Sequence, residues 1–560
     1  MKPSCYFSNL AWALISRRKW NRFKKAAGNV KKVQSAYLLK LLRENCDTAY
    51  GRKYDFGSID SVAAYQQRVP ITSYEDYNSS VKLIRQGQPN ILTAARVKLL
   101  EPTSGTTSAT KLIPYTDSLK AEFQNGIGAW IYNLFKIHPA LLGGKAYWAI
   151  TPNLHPAREK DDVIPIGFNE DGEYFGRLEK RLLDQIMVGP AQLSQLSDME
   201  TFRYVTLLFL VSEPEIRMLS VWNPSYLELL LNALNTWADR IVKDIRQGEI
   251  HPPAPIADPL LAILKRKIKK NPRRAKVIEK AVRKWRTKDR FNPWLEIWPH
   301  LKLISCWADG WASHSVSAIR KMFPKATIQP KGLLATEAFI TFPLEGKLFQ
   351  KMQHVLSVTS HFYEFEELNF STVKLSHELE AGKEYAVIVS TGGGLYRYRL
   401  NDRVRVEGHF QQAPLLRFIG KTEGVSDLFG EKIHVDHLRR TLIRAFNKYE
   451  CRPEFYFVAP QFSANVCSYT LFFESPHPDN NDAALQNEIE QELSHNFHYH
   501  HCRRLDQLGA FKTHRLPQGA RNRYFSHKSS TSRPATVKYS LLEKQADWIK
   551  IFAAGMSNLP

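Results

Sequence analysis

Apolar and polar positions alternate with different periods along the chain, and the changes of period mark its elements. Residues 1–75 read as helical and basic, up to "RVPITSYEDY", where Pro70 and Thr72-Ser73 signal a turn into a new helix. "ILTAARVKLLEPTSG" is strand-like and breaks into a run of hydroxyls. "TDSLKAEFQNGIGAWIYNLFKI" has helical spacing, with Thr116 or Asp117 placed to cap it. "GGKAYWAITP" and "TFRYVTLLFLV" read as buried strand or strand–helix pieces, and "WNPSYLELLLNALNTWADRIVKDIRQGEI" as a long amphipathic helix starting near Asn223-Pro224. Further on, "LKLISCWADG" is β-rich, "SVSAIRKMFP" helical, and "ATIQPKGLLATEAFITFPL" strand-like around a polar centre.

"KEYAVIVSTGGGLYRYRLNDRVRVEGHF" alternates with a glycine break, as antiparallel strands do. From Val425 the helical patterns "VDHLRRTLIRAF" and "ALQNEIEQELSHNF" surround the strand patterns "EFYFVAP" and "SYTLFFES", the signature of a small α+β module. The expected division is an α/β body over residues 1–424, its 345–424 part antiparallel β, and a C-terminal cap over 425–560.

Composition changes this picture little. The 560 residues are 43% hydrophobic and 24% charged, enough for a large buried core and against disorder. Six scattered cysteines without a C-x-x-C pair argue against a disulfide framework or thiolate zinc site and suit a reducing, cytoplasmic setting. No apolar run is long enough to cross a bilayer. "LAWALI" near the start lacks a cleavage signal and reads as part of a helix packed on the body, ahead of a membrane-surface helix.

Charge is the exception, at +23 overall. Residues 264–290 carry fourteen Lys and Arg against Glu279 and Asp289, about half of the surplus. A solvated helical hairpin is the plain reading; the functional one is a docking patch for an acidic carrier protein, RNA or an anionic membrane. With only Trp285 inside it and no recognition motif, sequence-specific nucleic-acid binding is not expected.

Three stretches carry chemistry. "LEPTSGTTSATKLIPYT" gathers backbone N–H groups, hydroxyls and Lys111 at one point, as phosphate oxygens require, although it is not a G-x-x-x-x-G-K-[ST] loop. In "GLLATEAF", Glu337 stands beside Thr336 in an otherwise apolar strand-like run; a carboxylate there wants a cation such as Mg²⁺, or else faces water at a strand edge. In "GGGLYRYRLNDRVRV", Asp402 falls at a turn, where it can accept both hydroxyls of a ribose or simply form a hairpin.

These sites, in this order, resemble the phosphate loop, acid motif and ribose-binding aspartate of acyl-adenylate-forming enzymes. Within that superfamily the chain resembles the Gretchen Hagen (auxin-responsive promoter) family of acyl-acid amido synthetases, bacterial members in particular. The resemblance runs through "NCDTAYGRKYDFGSIDSVAAYQQRVPITSYEDY", "EPTSGTTSATKLIPYT", "VWNPSYLELLLNAL", "WPHLKLISCWADG", "KGLLATEAFITFPL", "TGGGLYRYRLNDRVRV" and "FIGKTEGVSDLFGEK". It implies an α/β fold with a large adenylate-forming domain and a mobile α+β cap. It also implies an AMP-forming ligase that uses ATP and Mg²⁺ to join a small carboxylic acid to an amine, most simply an amino acid.

By resemblance, Thr103, Ser104, Gly105, Thr106 and Thr107 would cradle phosphates, with Lys111 at the loop's end. Asp309 and Gly310 would form the adenine turn. Thr336 would approach the α-phosphate, Glu337 would hold Mg²⁺, and Asp402 would bind the ribose, with Tyr396 and Tyr398 lining the adjoining wall. Lys421 would lie in the hinge to the cap, and Arg533 would stand for the catalytic lysine that relatives carry before a proline.

The chain departs from the family at Ser108 and Asn401, where relatives have glycine, and at Arg533. Lys528 and Lys538 are alternative cations. Two other outcomes are therefore carried: transfer of the acyl group to a thiol or carrier protein, and a degenerate nucleotide-binding homologue without turnover. The histidines of "HNFHYHHC" lack a second cluster for zinc. Ser313-His314 lacks a nucleophile elbow, and "TGGG" opens a strand and is no dinucleotide fingerprint.

Overall fold

A computed structural model describes residues 3–103, 111–149, 162–167, 177–288, 291–308, 313–346, 352–367, 372–421, 425–426, 428, 431, 433–463, 466–475, 482–504, 508–531 and 539–554. The chain divides into two compact units, Met1–Ile419 and Gly420–Pro560; the pattern change at Val425 falls just beyond that division.

Besides the two-stranded pairing of Leu99–Pro102 with Leu112–Tyr115, the first unit is built on two larger sheets. One is parallel, in the order Lys145–Trp148, Ile216–Ser220, Leu303–Cys306 and Thr327–Pro330. Helices Met199–Ser212, Pro224–Gln247 and Pro272–Thr287 share its hydrophobic cluster. "TFRYVTLLFLV" proves to be the helix Met199–Ser212 and not a strand. It is capped by Asp198, whose side chain accepts from the Thr201 N–H at 2.7 Å. Its run of apolar residues reflects burial on nearly every side, which removes the amphipathic period that would have identified it.

The other sheet has seven strands, in the order Val373–Leu375, Phe362–Glu367, Glu384–Ser390, Tyr398–Phe410, Ala413–Lys421, Gln353–Leu356 and Thr341–Leu344. "LAWALI" lies in the helix Pro3–Ala27, where Trp12 and Ala13 are buried against the body. Helix Asp117–Ile137 is capped by Thr116, whose hydroxyl accepts from the Leu119 N–H at 3.1 Å.

In the second unit, Phe455–Ser463 and Val466–Glu474 pair antiparallel and Lys512–Arg515 adds in parallel. Helices Val435–Lys448 and Asp482–Ser494 pack beside them, and the ring centres of Tyr524, Trp548 and Phe457 lie within 5.1 Å of one another, Tyr524 stacked on Trp548 and Phe457 edge-on to Trp548.

Candidate functional site

The hydroxyl loop has a rigid neck. Strands Leu99–Pro102 and Leu112–Tyr115 pair antiparallel from Leu99↔Tyr115 to Pro102↔Leu112, and the Thr103 N–H donates to the Lys111 carbonyl at 2.8 Å. Ser104, Gly105, Thr106, Thr107 and Ser108 lie outside the described residues; Thr103 and Lys111 stand at the two ends. Beyond the neck, Lys111 Nζ lies 5.6 Å from the ring centre of Tyr74, whose hydroxyl accepts from the Leu112 N–H at 2.7 Å.

Thr336 and Glu337 sit at the tip of a tight reversal and not within a strand. Leu334 bridges Phe339 antiparallel, and the Ala335 N–H closes the turn on the Ala338 carbonyl at 3.0 Å. The apolar residues that made the stretch look like a strand are the turn's two legs, Leu333–Ala335 partly buried and Ala338–Ile340 buried, with the polar pair between them. Glu337 is within electrostatic reach of Tyr74 and Tyr398. Burial first, with the Glu337 charge adding to it, pushes both phenols up from their ordinary range. Lys111, Tyr74, Glu337 and Tyr398, from four separate segments, thus meet beside the neck of the loop.

Asp402 is not in a hairpin turn. It lies within the continuous strand Tyr398–Phe410, 6% exposed, at a bulge. Arg399 pairs with Ile388 and Arg403 with Ala386, so Leu400, Asn401 and Asp402 oppose the single residue Val387. Asn401 absorbs the extra length at φ 62°, a conformation asparagine tolerates better than other non-glycine residues.

Tyr396 is a core residue, not a wall. It is 0% exposed, stacks on Tyr50 at 4.9 Å and donates its hydroxyl to the Leu92 carbonyl at 2.9 Å. Tyr398, also buried, is the tyrosine within electrostatic reach of Glu337. Lys421 ends the strand Ala413–Lys421 and is exposed. Asp309, Gly310, Arg533 and Lys538 lie outside the described residues. Lys528 is held by Glu543 at 2.9 Å.

One group escaped the sequence reading. Lys331 follows the parallel strand Thr327–Pro330, and its ammonium lies 5.3, 5.9 and 5.1 Å from the ring centres of Trp130, Trp148 and Trp222. It donates to Ser220 Oγ at 2.7 Å. Burial drives the Lys331 pKa down to about 8. Ser220, Ser305 and Gln329 stand side by side in one row of the sheet, at the carboxyl ends of its strands, where open α/β sheets bind ligands. Trp148, Trp222 and Lys331 are only partly buried, so the cage is open to one side. Trp130 holds its place by donating Nε1–H to Gln329 at 3.2 Å. The four residues come from four segments, which is why no local motif announced them.

The comparisons with known proteins decide the family. The GH3 family N-terminal domain matches residues 19–328, the central domain 354–421 and the C-terminal domain 436–542. The chain belongs to the GH3 family. Indole-3-acetic acid-amido synthetase GH3.15 of Arabidopsis thaliana is 23% identical over 444 residues, covering 74% of this chain and 72% of the relative. Indole-3-acetic acid-amido synthetase GH3.2 of the same plant is 22% identical over 493 residues, covering 82% and 87%. A solved structure of AtGH3.15 acyl acid amido synthetase in complex with 2,4-DB superposes with a TM-score of 0.79 at 20% identity over 96% of both chains, which establishes the shared mixed α/β fold.

The basic segment of this GH3 chain forms helices Asp258–Lys267 and Pro272–Thr287. Arg274 is buried as an anchor, donating to the Val211 and Ile297 carbonyls at 2.7 and 2.8 Å. Several of the other cations have acidic partners: Lys265 with Glu249, Lys284 with Glu296 and Arg286 with Asp239. The two helices do not pair as a hairpin: the second buries Ala275, Ile278, Ala281 and Val282 in the cluster it shares with Pro224–Gln247, and nothing in the relatives supports a carrier protein. Among the described residues no helix is long and apolar enough to cross a membrane, and no group of three acidic, histidine or cysteine side chains is placed to hold a metal unaided.

Proposed function

We propose that this protein is an ATP-dependent acyl-acid amido synthetase. In the first half-reaction a carboxylate oxygen of the acid bonds to the α-phosphorus of ATP, and pyrophosphate leaves. In the second the amine of an amino acid displaces AMP, giving the amide and a proton. The observation that carries the reading is the meeting of Lys111, Tyr74, Glu337 and Tyr398 at the neck of a hydroxyl loop in a GH3 chain. Such chemistry needs positioning and charge neutralisation more than a protein nucleophile.

Each residue has a role in that scheme. Lys111 and the loop from Thr103 receive phosphate oxygens. Glu337 fits Mg²⁺, which favours one or two carboxylates together with phosphates over an all-protein cage. Bound there, the metal would neutralise phosphate charge. Asp402, at its bulge, accepts the ribose hydroxyls. The Lys331 cage receives the acid, its ammonium meeting the carboxylate and its indoles the apolar body. Lys421 and Arg533 serve the cap's part of the cycle. The six cysteines, all unbridged, suit a cytoplasmic enzyme.

Exchange of labelled pyrophosphate into ATP, dependent on a carboxylic acid, tests the proposal. Acid-dependent exchange followed by amide formation with an amino acid is the expected result. ATP binding without exchange from any acid would mean a nucleotide-binding homologue without turnover.

A further inference from the structure

Glu122 and His361 form a buried pair that neither the sequence motifs nor the roles above account for. Glu122 is on helix Asp117–Ile137, directly after the hydroxyl loop and its return strand, and is 5% exposed; His361 is 0% exposed. His361 Nδ1 donates to Glu122 Oε2 at 2.8 Å, while His361 Nε2 accepts from the Phe339 N–H at 2.9 Å, which fixes the tautomer. Tyr37 donates to Glu122 Oε1 at 2.6 Å, and the Gly392 N–H reaches both carboxylate oxygens at 3.0 and 3.1 Å. Thr116, the cap of the same helix, donates to the Gly392 carbonyl at 2.9 Å.

These bonds end on backbone groups of two other segments. Phe339 closes the reversal that presents Thr336 and Glu337, and its carbonyl accepts from Tyr363 at 2.7 Å. Gly392 belongs to the "TGGG" turn that leads into Tyr398 and Asp402. A Cβ at Gly392 would lie 2.4 Å from Glu122 Oε1, so the glycine is there to let the backbone approach the carboxylate. The pair therefore joins the foot of the phosphate loop, the acid turn and the root of the ribose strand. Packing alone does not ask for this. An apolar pair of similar volume would usually hold the fold as well, since desolvating a charge is costly. A directional network instead fixes angles between segments.

We propose that Glu122 and His361 are positioning residues for adenylation: together they set Glu337 and Asp402 in register with the phosphate loop. The proposal rests on the adenylating reading. It follows that loss of the pair lowers the rate of the chemical step more than the affinity for either substrate, because misplacement near 1 Å costs on the order of 100-fold in rate.

The test compares His361→Leu, which removes both hydrogen bonds, with His361→Gln, whose amide can both donate to Glu122 and accept from Phe339. Pyrophosphate exchange gives kcat and KM for ATP and acid, and hydrogen–deuterium exchange reads the Phe339 and Gly392 amides in the folded proteins. The expected result for His361→Leu is a kcat at least 30-fold lower, KM values within threefold of wild type and faster exchange at the Phe339 amide, with His361→Gln restoring most of both readouts. A folded His361→Leu protein with wild-type kcat would overturn the proposal, as would a loss confined to KM. So would a His361→Gln protein that regains amide protection without regaining rate. Should wild type itself show no exchange with any acid, the adenylating reading fails instead, and wild-type turnover keeps the two failures apart.

Discussion

Replacing Lys331 by methionine should make the protein more stable and a poorer enzyme. Burial takes the lysine from an ordinary 10.5 to about 8, which corresponds to about 3 kcal/mol against its charged form at neutral pH. The cage's open side and its three indole faces, at roughly 0.5–1 kcal/mol each, offset part of that. A net cost of about 0–1.5 kcal/mol remains, which methionine, similar in length and uncharged, removes.

The sign with pH follows. The folded protein holds this proton less tightly than the unfolded chain does, so the penalty is complete below pH 8 and fades as pH rises toward 10.5. Wild type without ligand should gain stability over that window, and Lys331→Met should show no such gain. Cys306, whose thiol burial pushes up to about 12, stays uncharged beside the lysine throughout, and Arg320 is a cation in reach of that thiol.

Binding runs the other way. A hydrogen bond to a charged group contributes about 1.5–3 kcal/mol, so the dissociation constant for the acid should rise about 10- to 150-fold in Lys331→Met. Wild-type affinity should weaken about tenfold per pH unit above 8. Quenching of the cage tryptophans measures affinity, acid-dependent pyrophosphate exchange measures KM, and urea midpoints measure stability. Unchanged quenching and KM in Lys331→Met, or a variant less stable than wild type at pH 7, would refute the reasoning.

Other consequences are simpler. Glu337→Ala and Asp402→Ala should each slow adenylation by at least about tenfold in the folded protein, because loss of a phosphate–metal or ribose contact removes on the order of 1.4 kcal/mol or more; exchange assays decide. Asn401→Gly should be tolerated, while Asn401→Val should destabilise by about 1–2 kcal/mol in urea titrations, since a β-branched residue at φ 62° is strained. Neutralising Lys265, Arg266, Lys267, Lys269 and Lys270 together should leave turnover with amino acids unchanged; a selective loss with one acceptor would return this basic segment to the functional surface.

Much of this molecule was legible because its elements announce themselves locally. Thr116 capping a 3.6-residue period marked the helix Asp117–Ile137, and alternation marked Tyr398–Phe410. The errors came where burial or bending hides the period. Met199–Ser212 is buried on nearly every side, so it reads as a strand or strand–helix piece. The legs of the Glu337 reversal are apolar, so the turn looked like one too. Asp402 was placed in a hairpin because Asn-Asp favours turns, whereas here asparagine's left-handed conformation builds a bulge inside one strand. Tyr396 and Tyr398 alternate in sequence, and only packing tells that the first stacks on Tyr50 while the second comes within electrostatic reach of Glu337. The Lys331 cage and the Glu122–His361 pair are products of tertiary contact, assembled from residues up to 239 positions apart, and no motif could carry them.

The central claim is that one cleft holds the triphosphate, its metal and the ribose. A crystal structure with a non-hydrolysable ATP analogue and Mn²⁺, the metal located by anomalous scattering, tests it most directly. The account predicts phosphates at the neck between Thr103 and Lys111, the metal on Glu337 and the ribose hydroxyls on Asp402. A nucleotide bound elsewhere, with Glu337 and Asp402 untouched, would contradict it.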